Sequence, residues 1–75
     1  MVKIYTTPTC VYCKMAKEFF KKNNIQYEEA NVAEDEKARE EMVEKSHQLG
    51  VPVIDVDSKI LVGFNEAELK KALNL

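Results

Sequence analysis

The 75-residue sequence predicts a small α/β domain in which three helices cover a four-stranded mixed sheet, with the element order β-α-β-α-β-β-α. Two observations lead to this prediction. Segments rich in β-branched residues are separated by segments with apolar residues at helical spacing, which is the pattern of parallel strands joined by helices. The last two strand segments have no helix between them, so they are expected to pair antiparallel and make the sheet mixed.

Composition limits the chain to one small domain spanning residues 1–75. Of its residues 45% are hydrophobic and 32% are charged, which is typical of a globular domain. The net charge is −2, and no run of one sign is long enough to indicate nucleic-acid binding. The apolar runs are only a few residues long, so no membrane span or signal peptide is predicted. We expect a cytoplasmic monomer with no membrane or nucleic-acid partner.

The first strand and the first helix are predicted from residues 2–22. Residues 2–6 alternate apolar and polar side chains, and the loop at 7–9 interrupts that alternation. From residue 11 onward, apolar side chains recur at helical spacing and are expected to form the buried face of a helix: Tyr12, Ala16, Phe19 and Phe20. Lysines in the last turn and the asparagines at 23 and 24 predict its end, because Asn tolerates a left-handed backbone conformation.

A second strand and a second helix are predicted next. Residues 25–32 have a broken alternation, and their charged pair Glu28 and Glu29 indicates a strand at the sheet edge. An acidic cluster at 34–36 begins the helix and Gly50 ends it. The apolar stripe of this helix is predicted as Ala38, Met42 and Leu49. Its remaining acidic side chains, at positions 40, 41 and 44, are interpreted as a solvated face.

The last three elements are a hairpin and a helix. Residues 51–56 and 60–62 flank a turn-like pair at 57–58, which predicts an antiparallel hairpin. Asn65 and Glu68 have the spacing of an N-cap and its third helical residue, so the final helix is expected to begin at Asn65. Phe64 and Leu69 then occupy the two positions of a hydrophobic staple.

Cys10 and Cys13 are the only cysteines, and they lie at the predicted junction of the first strand and the first helix. A sulfur at a helix N-terminus faces the positive end of the helix dipole, which lowers a thiol pKa from about 8.5 to roughly 3.5–7.5. Cys10 is therefore the predicted nucleophile. With two residues between the cysteines, Cys13 is within reach to attack a mixed disulfide on Cys10 and release the reduced product.

Two alternative roles for the cysteine pair stay open. Both cysteines could be buried core residues, although packing does not require a Cys-x-x-Cys pair at such a turn. A tetrahedral zinc site needs four ligands, whereas the sequence offers two cysteines and the single histidine His47. Metal binding would thus require two chains or carboxylates. No metal ligands are predicted, and His47 is interpreted as a surface residue near the end of the second helix.

Three segments, in this order and spacing, resemble the glutaredoxin family of the thioredoxin-like fold: Cys-Val-Tyr-Cys at 10–13, Gly-Val-Pro-Val at 50–53 and Val-Gly-Phe at 62–64. The resemblance covers essentially the whole chain. It implies a thiol–disulfide oxidoreductase with Cys10 as nucleophile, Cys13 as resolving thiol and a cis peptide bond at Pro52. It also implies a substrate-binding groove formed by Tyr12, Val51, Pro52, Phe64 and Asn65, in which the Val51 backbone pairs with a peptide or with glutathione.

Three departures from the usual family pattern bear on the electron donor. Val11 stands in place of the motif proline, Thr7 in place of a glutathione-binding lysine, and Phe64 in place of the second glycine of a turn. The family resemblance implies glutathione as the reductant, with disulfide-containing or glutathionylated proteins as substrates. The Gly-Phe turn and the Cys-Val-x-Cys motif are instead similar to redoxins that reduce ribonucleotide reductase and take electrons from thioredoxin reductase with NADPH. No bound cofactor is expected in either case.

Overall fold

The computed structural model describes residues 2–48 and 50–75, so Leu49 of the predicted helical stripe lies outside the described residues. The elements occur in the predicted order: β1 (Val2–Thr6), α1 (Val11–Lys22), β2 (Glu28–Asn31), α2 (Glu36–Ser46), β3 (Val53–Val56), β4 (Lys59–Val62) and α3 (Glu66–Leu73). The strands form a mixed sheet in the order β2-β1-β3-β4, with β2 parallel to β1 and the other neighbours antiparallel. The predicted α/β architecture is confirmed.

Two apolar clusters cover the two faces of the sheet. The first joins the sheet to α1 and α3 and consists of Val2, Ile4, Ala16, Phe19, Phe20, Ile54, Val56 and Leu69. The second joins the sheet to α2 and consists of Tyr5, Val32, Ala38, Met42 and Val53. Successive side chains of a strand point to opposite faces, and β1 and β3 accordingly contribute to both clusters. The helices α1 and α3 therefore lie on one face and α2 lies on the other.

The strand β2 is shorter than predicted, although it is the edge strand that its glutamates indicated. It begins at Glu28 rather than at Ile25, whose backbone N–H is used to end α1. The backbone N–H of Asn24 donates to the Lys21 carbonyl at 3.2 Å, and that of Ile25 donates to the Phe20 carbonyl at 2.8 Å. With Asn24 in the left-handed region at φ 56°, these two bonds form a Schellman motif, which confirms the predicted helix end.

The hairpin forms as predicted, but its first strand begins later. The strand β3 starts at Val53 rather than at residue 51, since Pro52 has no N–H to donate to a ladder. Asp57 and Ser58 both have positive φ, 48° and 76°. That conformation is typical of the type I′ turn, whose twist matches a two-residue hairpin.

The buried face of α1 differs from the prediction at one position. Ala16, Phe19 and Phe20 are buried as expected, whereas Tyr12 is 60% exposed and Cys13 is only 1% exposed. Cys13, Ala16 and Phe20 are three and four residues apart, so they form one row that packs on the sheet. Tyr12 lies in the first turn and points to solvent.

A polar cluster that the sequence did not predict attaches α2 to the sheet. The Tyr5 hydroxyl donates to a carboxylate oxygen of Glu41, and the Lys3 ammonium donates to the same oxygen at 3.0 Å. Lys45 donates to Asp55 at 2.8 Å and to the Tyr5 hydroxyl at 3.2 Å. The interpretation of Glu41 as part of a solvated face is therefore wrong, because β1 supplies it with two partners.

This cluster predicts an acid-sensitive part of the folding free energy. The Tyr5 hydroxyl and the Lys3 ammonium lower the pKa of Glu41 from 4.5 to about 2. A carboxyl pKa that is depressed in the folded state stabilises the protein above the unfolded pKa, and that stability is lost as the pH falls from 4.5 toward 2. Because 43% of the Glu41 side chain is exposed, the discounted loss expected between neutral pH and about pH 3 is about 1 kcal/mol.

Denaturant unfolding at both pH values checks this expectation. Glu41→Gln should lose about 1 kcal/mol less than the wild type on acidification. Glu40→Gln removes an equal charge from an exposed neighbour and should behave as the wild type does. Equal pH dependence in the wild type and in Glu41→Gln would contradict the prediction.

Candidate active site

Three segments that the sequence singled out meet at one end of the sheet. Since β3 pairs antiparallel with both β1 and β4, the last residues of β1, the first residues of β3 and the last residues of β4 lie at the same end of the sheet. Cys10 lies in the connection after β1, Pro52 immediately precedes β3, and Gly63 immediately follows β4. The tertiary structure therefore gathers segments that are up to 53 positions apart in the sequence numbering, from Cys10 to Gly63.

Cys10 is the N-cap residue of α1. Its backbone is extended, with φ −87° and ψ 112°, and its sulfur accepts the backbone N–H of Cys13 at 3.1 Å. The N–H of Lys14 donates to the Cys10 carbonyl at 3.3 Å, which is the first hydrogen bond of the helix. The Cys10 sulfur thus lies at the positive end of the α1 dipole, where a thiolate is stabilised.

Cys10 and Cys13 form a disulfide bond, with their Cα atoms 5.2 Å apart. The two sulfurs differ in accessibility, because Cys10 is partly exposed while Cys13 is 1% exposed on the buried face of α1. An incoming molecule can therefore approach Cys10 but not Cys13. Dithiol exchange requires this combination of an accessible attacking sulfur and a protected neighbour.

The Val51–Pro52 peptide bond is cis, as the family resemblance implied. Pro52 is fully buried, and its carbonyl accepts the backbone N–H of Gly63 at 2.8 Å. Gly63 has φ +79°, a region that glycine adopts without the steric cost of a side chain. This hydrogen bond fixes the turn after β4 to the start of β3.

The remaining residues of the predicted groove have different surroundings. Tyr12 is largely exposed next to Cys10, and Val51 is partly buried against the α2 side of the core. The Phe64 ring lies edge-on to Phe19, with ring centroids 6.1 Å apart. Asn65 is the N-cap of α3, and its side-chain oxygen accepts the Glu68 N–H at 3.2 Å, which confirms the predicted cap.

A carboxylate that the sequence did not single out links the cysteine helix to the sheet. One oxygen of Glu29 accepts from the buried Thr6 hydroxyl at 3.0 Å and from the Lys17 ammonium at 2.9 Å. Lys17, followed by Thr6, lowers the pKa of Glu29 against the opposing effect of burial. Thr6 ends β1, and Lys17 lies in α1 one turn beyond Cys13. Glu29 therefore joins the strand and the helix on either side of the loop that contains Cys10. No local sequence pattern indicates this contact.

Two further observations concern metals and membranes. Among residues 2–48 and 50–75, no three His, Cys, Asp or Glu side chains are grouped so that they could hold a metal ion. His47 is exposed and ends α2 in the left-handed conformation, with φ 60°. Within the same residues, no helix has the length and apolar character needed to cross a membrane.

Comparisons with known sequences identify the family. The family model described as Glutaredoxin matches residues 2–61. An uncharacterized glutaredoxin-like 8.6 kDa protein in the rubredoxin operon of Clostridium pasteurianum is 55% identical over 73 residues, which are 97% of each chain. The glutaredoxin-like protein NrdH of Lactococcus lactis is 35% identical over 95% of this chain and 97% of the relative. Glutaredoxin 3 of Escherichia coli is 32% identical over 87% and 78%, respectively.

Solved structures have the same fold. The crystal structure of a glutaredoxin from Archaeoglobus fulgidus matches with a TM-score of 0.90 and 28% identity, over 99% of this chain and 86% of the other. The crystal structure of a thioredoxin-like protein matches with a TM-score of 0.90 and 32% identity, over 96% and 99%. With the Cys10–Cys13 pair at the N-terminus of α1, these similarities establish that the chain belongs to the glutaredoxin family of thiol–disulfide oxidoreductases.

Proposed function

We propose that this protein reduces disulfide bonds of other proteins by dithiol exchange and is itself reduced by a thioredoxin reductase with NADPH. The observation that carries the proposal is the unequal pair of sulfurs. Cys10 is accessible at a helix N-terminus, and Cys13 is buried one helical turn further along. The first sulfur is suited to attack a substrate and the second to act only after the first has reacted.

The exchange transfers two electrons in two displacements. The Cys10 thiolate attacks one sulfur of the substrate disulfide, the substrate S–S bond breaks, and the released substrate thiolate takes up a proton. The Cys13 thiolate then attacks Cys10 in the mixed disulfide, which releases the second substrate thiol. The substrate gains two electrons, and the protein ends with the Cys10–Cys13 disulfide.

The substrate segment is proposed to lie between Tyr12 and the Val51–Pro52 step. Tyr12 offers an exposed ring beside Cys10, and the Val51 backbone precedes the cis bond at the same end of the sheet. An extended segment that pairs with Val51 would form an added short strand. This arrangement would hold the target disulfide against Cys10.

The charges at the start of α3 disfavour a glutathione carboxylate at that position, which favours a protein as the electron donor. Glutathione carries two carboxylates, which require cations or free N–H donors. Thr7, in the loop between β1 and α1, is uncharged, and the first turn of α3 carries Glu66 and Glu68. The Glu68 N–H already donates to Asn65. A carboxylate at the start of α3 would therefore meet two like charges and a helix end that is partly capped.

Glutathione is the second candidate donor. It is favoured by the cis bond at Pro52 and the exposed Tyr12, the two groove features that the family resemblance implies for its binding and that the structure contains. Both donors keep the pair reduced only in a reducing compartment, so we place the activity in the cytoplasm. Proteins with disulfides or glutathionylated thiols are the proposed substrates.

A donor competition tests the proposed function. The oxidised protein is mixed with a neutral disulfide peptide and either thioredoxin reductase with NADPH or millimolar glutathione with glutathione reductase and NADPH. We expect peptide reduction and NADPH oxidation at least tenfold faster with thioredoxin reductase. Faster turnover with glutathione would contradict the proposed donor, and no peptide reduction with either would contradict the proposed function.

A further inference from the structure

The lysines of α1 are aligned with the attacking cysteine. Cys10, Lys14, Lys17 and Lys21 are spaced at i, i+4, i+7 and i+11, which places them along one face of the helix. Lys14 and Lys21 are exposed, and Lys17 is partly exposed. We call Lys14, Lys17 and Lys21 the lysine row. It extends from the reactive sulfur along the outer side of α1.

The middle of the lysine row forms an ion pair, and its two ends do not. Lys17 forms an ion pair with Glu29 at 2.9 Å. Neither Lys14 nor Lys21 forms an ion pair with any residue in the ranges 2–48 and 50–75. Glu18 is the one acidic residue of α1, so the helix carries a net charge of +3 within a chain of net charge −2.

We propose that the lysine row is a docking surface for an acidic segment of the partner protein whose disulfide is reduced. This inference rests on the proposed function, because the segment is held in place by the mixed disulfide on Cys10. The residues on one side of the partner cysteine pair with Val51, and those on its other side follow the lysine row. Charge complementarity selects the occupant: two unpaired ammonium groups in line with the sulfur favour carboxylates and disfavour lysines on the segment. The exposed side chain of Val11 next to Cys10 adds an apolar contact.

Helix geometry predicts where the carboxylates must stand. At 1.5 Å per residue, Lys14 lies about 6 Å and Lys21 about 16 Å beyond Cys10 along the helix axis. An extended segment advances about 3.3 Å per residue. Alternate side chains of an extended segment face the same side as the partner cysteine. Its acidic residues are therefore expected at the second position, about 7 Å along and opposite Lys14, and at the fourth position, about 13 Å along and within side-chain reach of Lys21.

Synthetic peptides with a single cysteine test this spacing. In the first peptide Glu stands at the second and fourth positions on both sides of the cysteine, in the second at the first and third positions, and in the third Gln replaces every Glu. Each cysteine is linked by a disulfide to thionitrobenzoate. Attack of Cys10 on the peptide sulfur releases coloured thionitrobenzoate, the better leaving group, and Cys13 then releases the peptide thiol.

The second-order rate constant of reduced protein with each peptide is the measurement. At low salt we expect the peptide with Glu at the second and fourth positions to react about 5-fold faster than the Gln peptide, which is the effect of two exposed ion pairs. The peptide with Glu at the first and third positions, which face away from the helix, should gain less than half of that. Salt at about 0.5 M should remove the difference, because it screens exposed charges.

Charge reversal with a matched control completes the test. Lys14→Glu/Lys21→Glu should invert the preference, so that the Gln peptide reacts faster. Lys37→Glu/Lys71→Glu makes the same change of net charge on exposed residues of α2 and α3 and should keep the wild-type preference. If the reversed variant does not fold, Lys14→Gln/Lys21→Gln is expected to abolish the preference.

The possible failures are distinguishable. Equal rates for all three peptides, or an equal loss of preference in both charge-reversed variants, would overturn the docking surface while leaving dithiol exchange intact. Absence of reaction with the neutral Gln peptide would instead contradict the proposed function.

Discussion

Cys13→Ser is expected to leave the protein covalently attached to its substrate through Cys10. The variant keeps the accessible sulfur at the N-terminus of α1, so the first displacement still takes place. It lacks the thiol that would resolve the mixed disulfide. Mass spectrometry under non-reducing conditions should find nearly all of the variant as a one-to-one adduct that dithiothreitol releases.

Cys10→Ser is the matched control for this experiment. A serine hydroxyl can accept the Cys13 N–H as the Cys10 sulfur does, so the helix cap and the fold should be retained. Without a thiolate at this position, the rate of disulfide reduction should fall at least ~10³-fold. An adduct on Cys13 in this buried position, or turnover near the wild-type rate, would contradict the assignment of Cys10 as nucleophile.

Phe20→Ala is expected to destabilise the fold by about 3–5 kcal/mol. Phe20 is completely buried, and its ring centroid lies 5.2 Å from that of Tyr27 and 6.1 Å from that of Phe19. A small domain has a total stability of roughly 5–15 kcal/mol, so the loss removes a large share of it. Urea unfolding followed by far-UV circular dichroism measures the change.

Tyr12→Ala provides the comparison for this core substitution. It also removes an aromatic side chain from α1, but Tyr12 is 60% exposed. The free energy of unfolding is therefore expected to fall by no more than about 0.5 kcal/mol. Similar losses in the two variants would show that burial does not decide their stability and would contradict the described packing of α1.

Several features of the fold could be predicted because neighbouring residues control them. The cap at Asn65 depends on a residue three positions away, and the Schellman motif at Asn24 depends on contacts within one helical turn. The strand boundaries were less predictable. Residues 25–27 have strand-like composition, but the end of α1 and the start of the β1–β2 ladder determine where β2 begins.

The chemistry of the candidate site could be predicted from the sequence, but the burial of the residues around the cysteine pair could not. A cysteine pair at a strand-to-helix junction points to thiol–disulfide exchange whatever the rest of the chain does. The exposure of Tyr12 and the burial of Cys13 could not be obtained in this way, since helical spacing assigned the buried face to Tyr12. Which side of a helix packs on the sheet depends on the other elements.

The sequence alone determined the order of helices and strands, the end of α1, the cap of α3 at Asn65 and the position of the reactive sulfur, because each depends on residues within a few positions of one another. The predicted end of α2 at Gly50 was wrong, since the helix ends at Ser46 with His47 as its cap. The tertiary structure alone decided the carboxylate contacts of Glu29 and Glu41. Glu29 meets Lys17 across 12 positions, and Glu41 meets Tyr5 across 36. Such partners are selected by strand pairing and by the face on which each helix packs, so no local pattern records them.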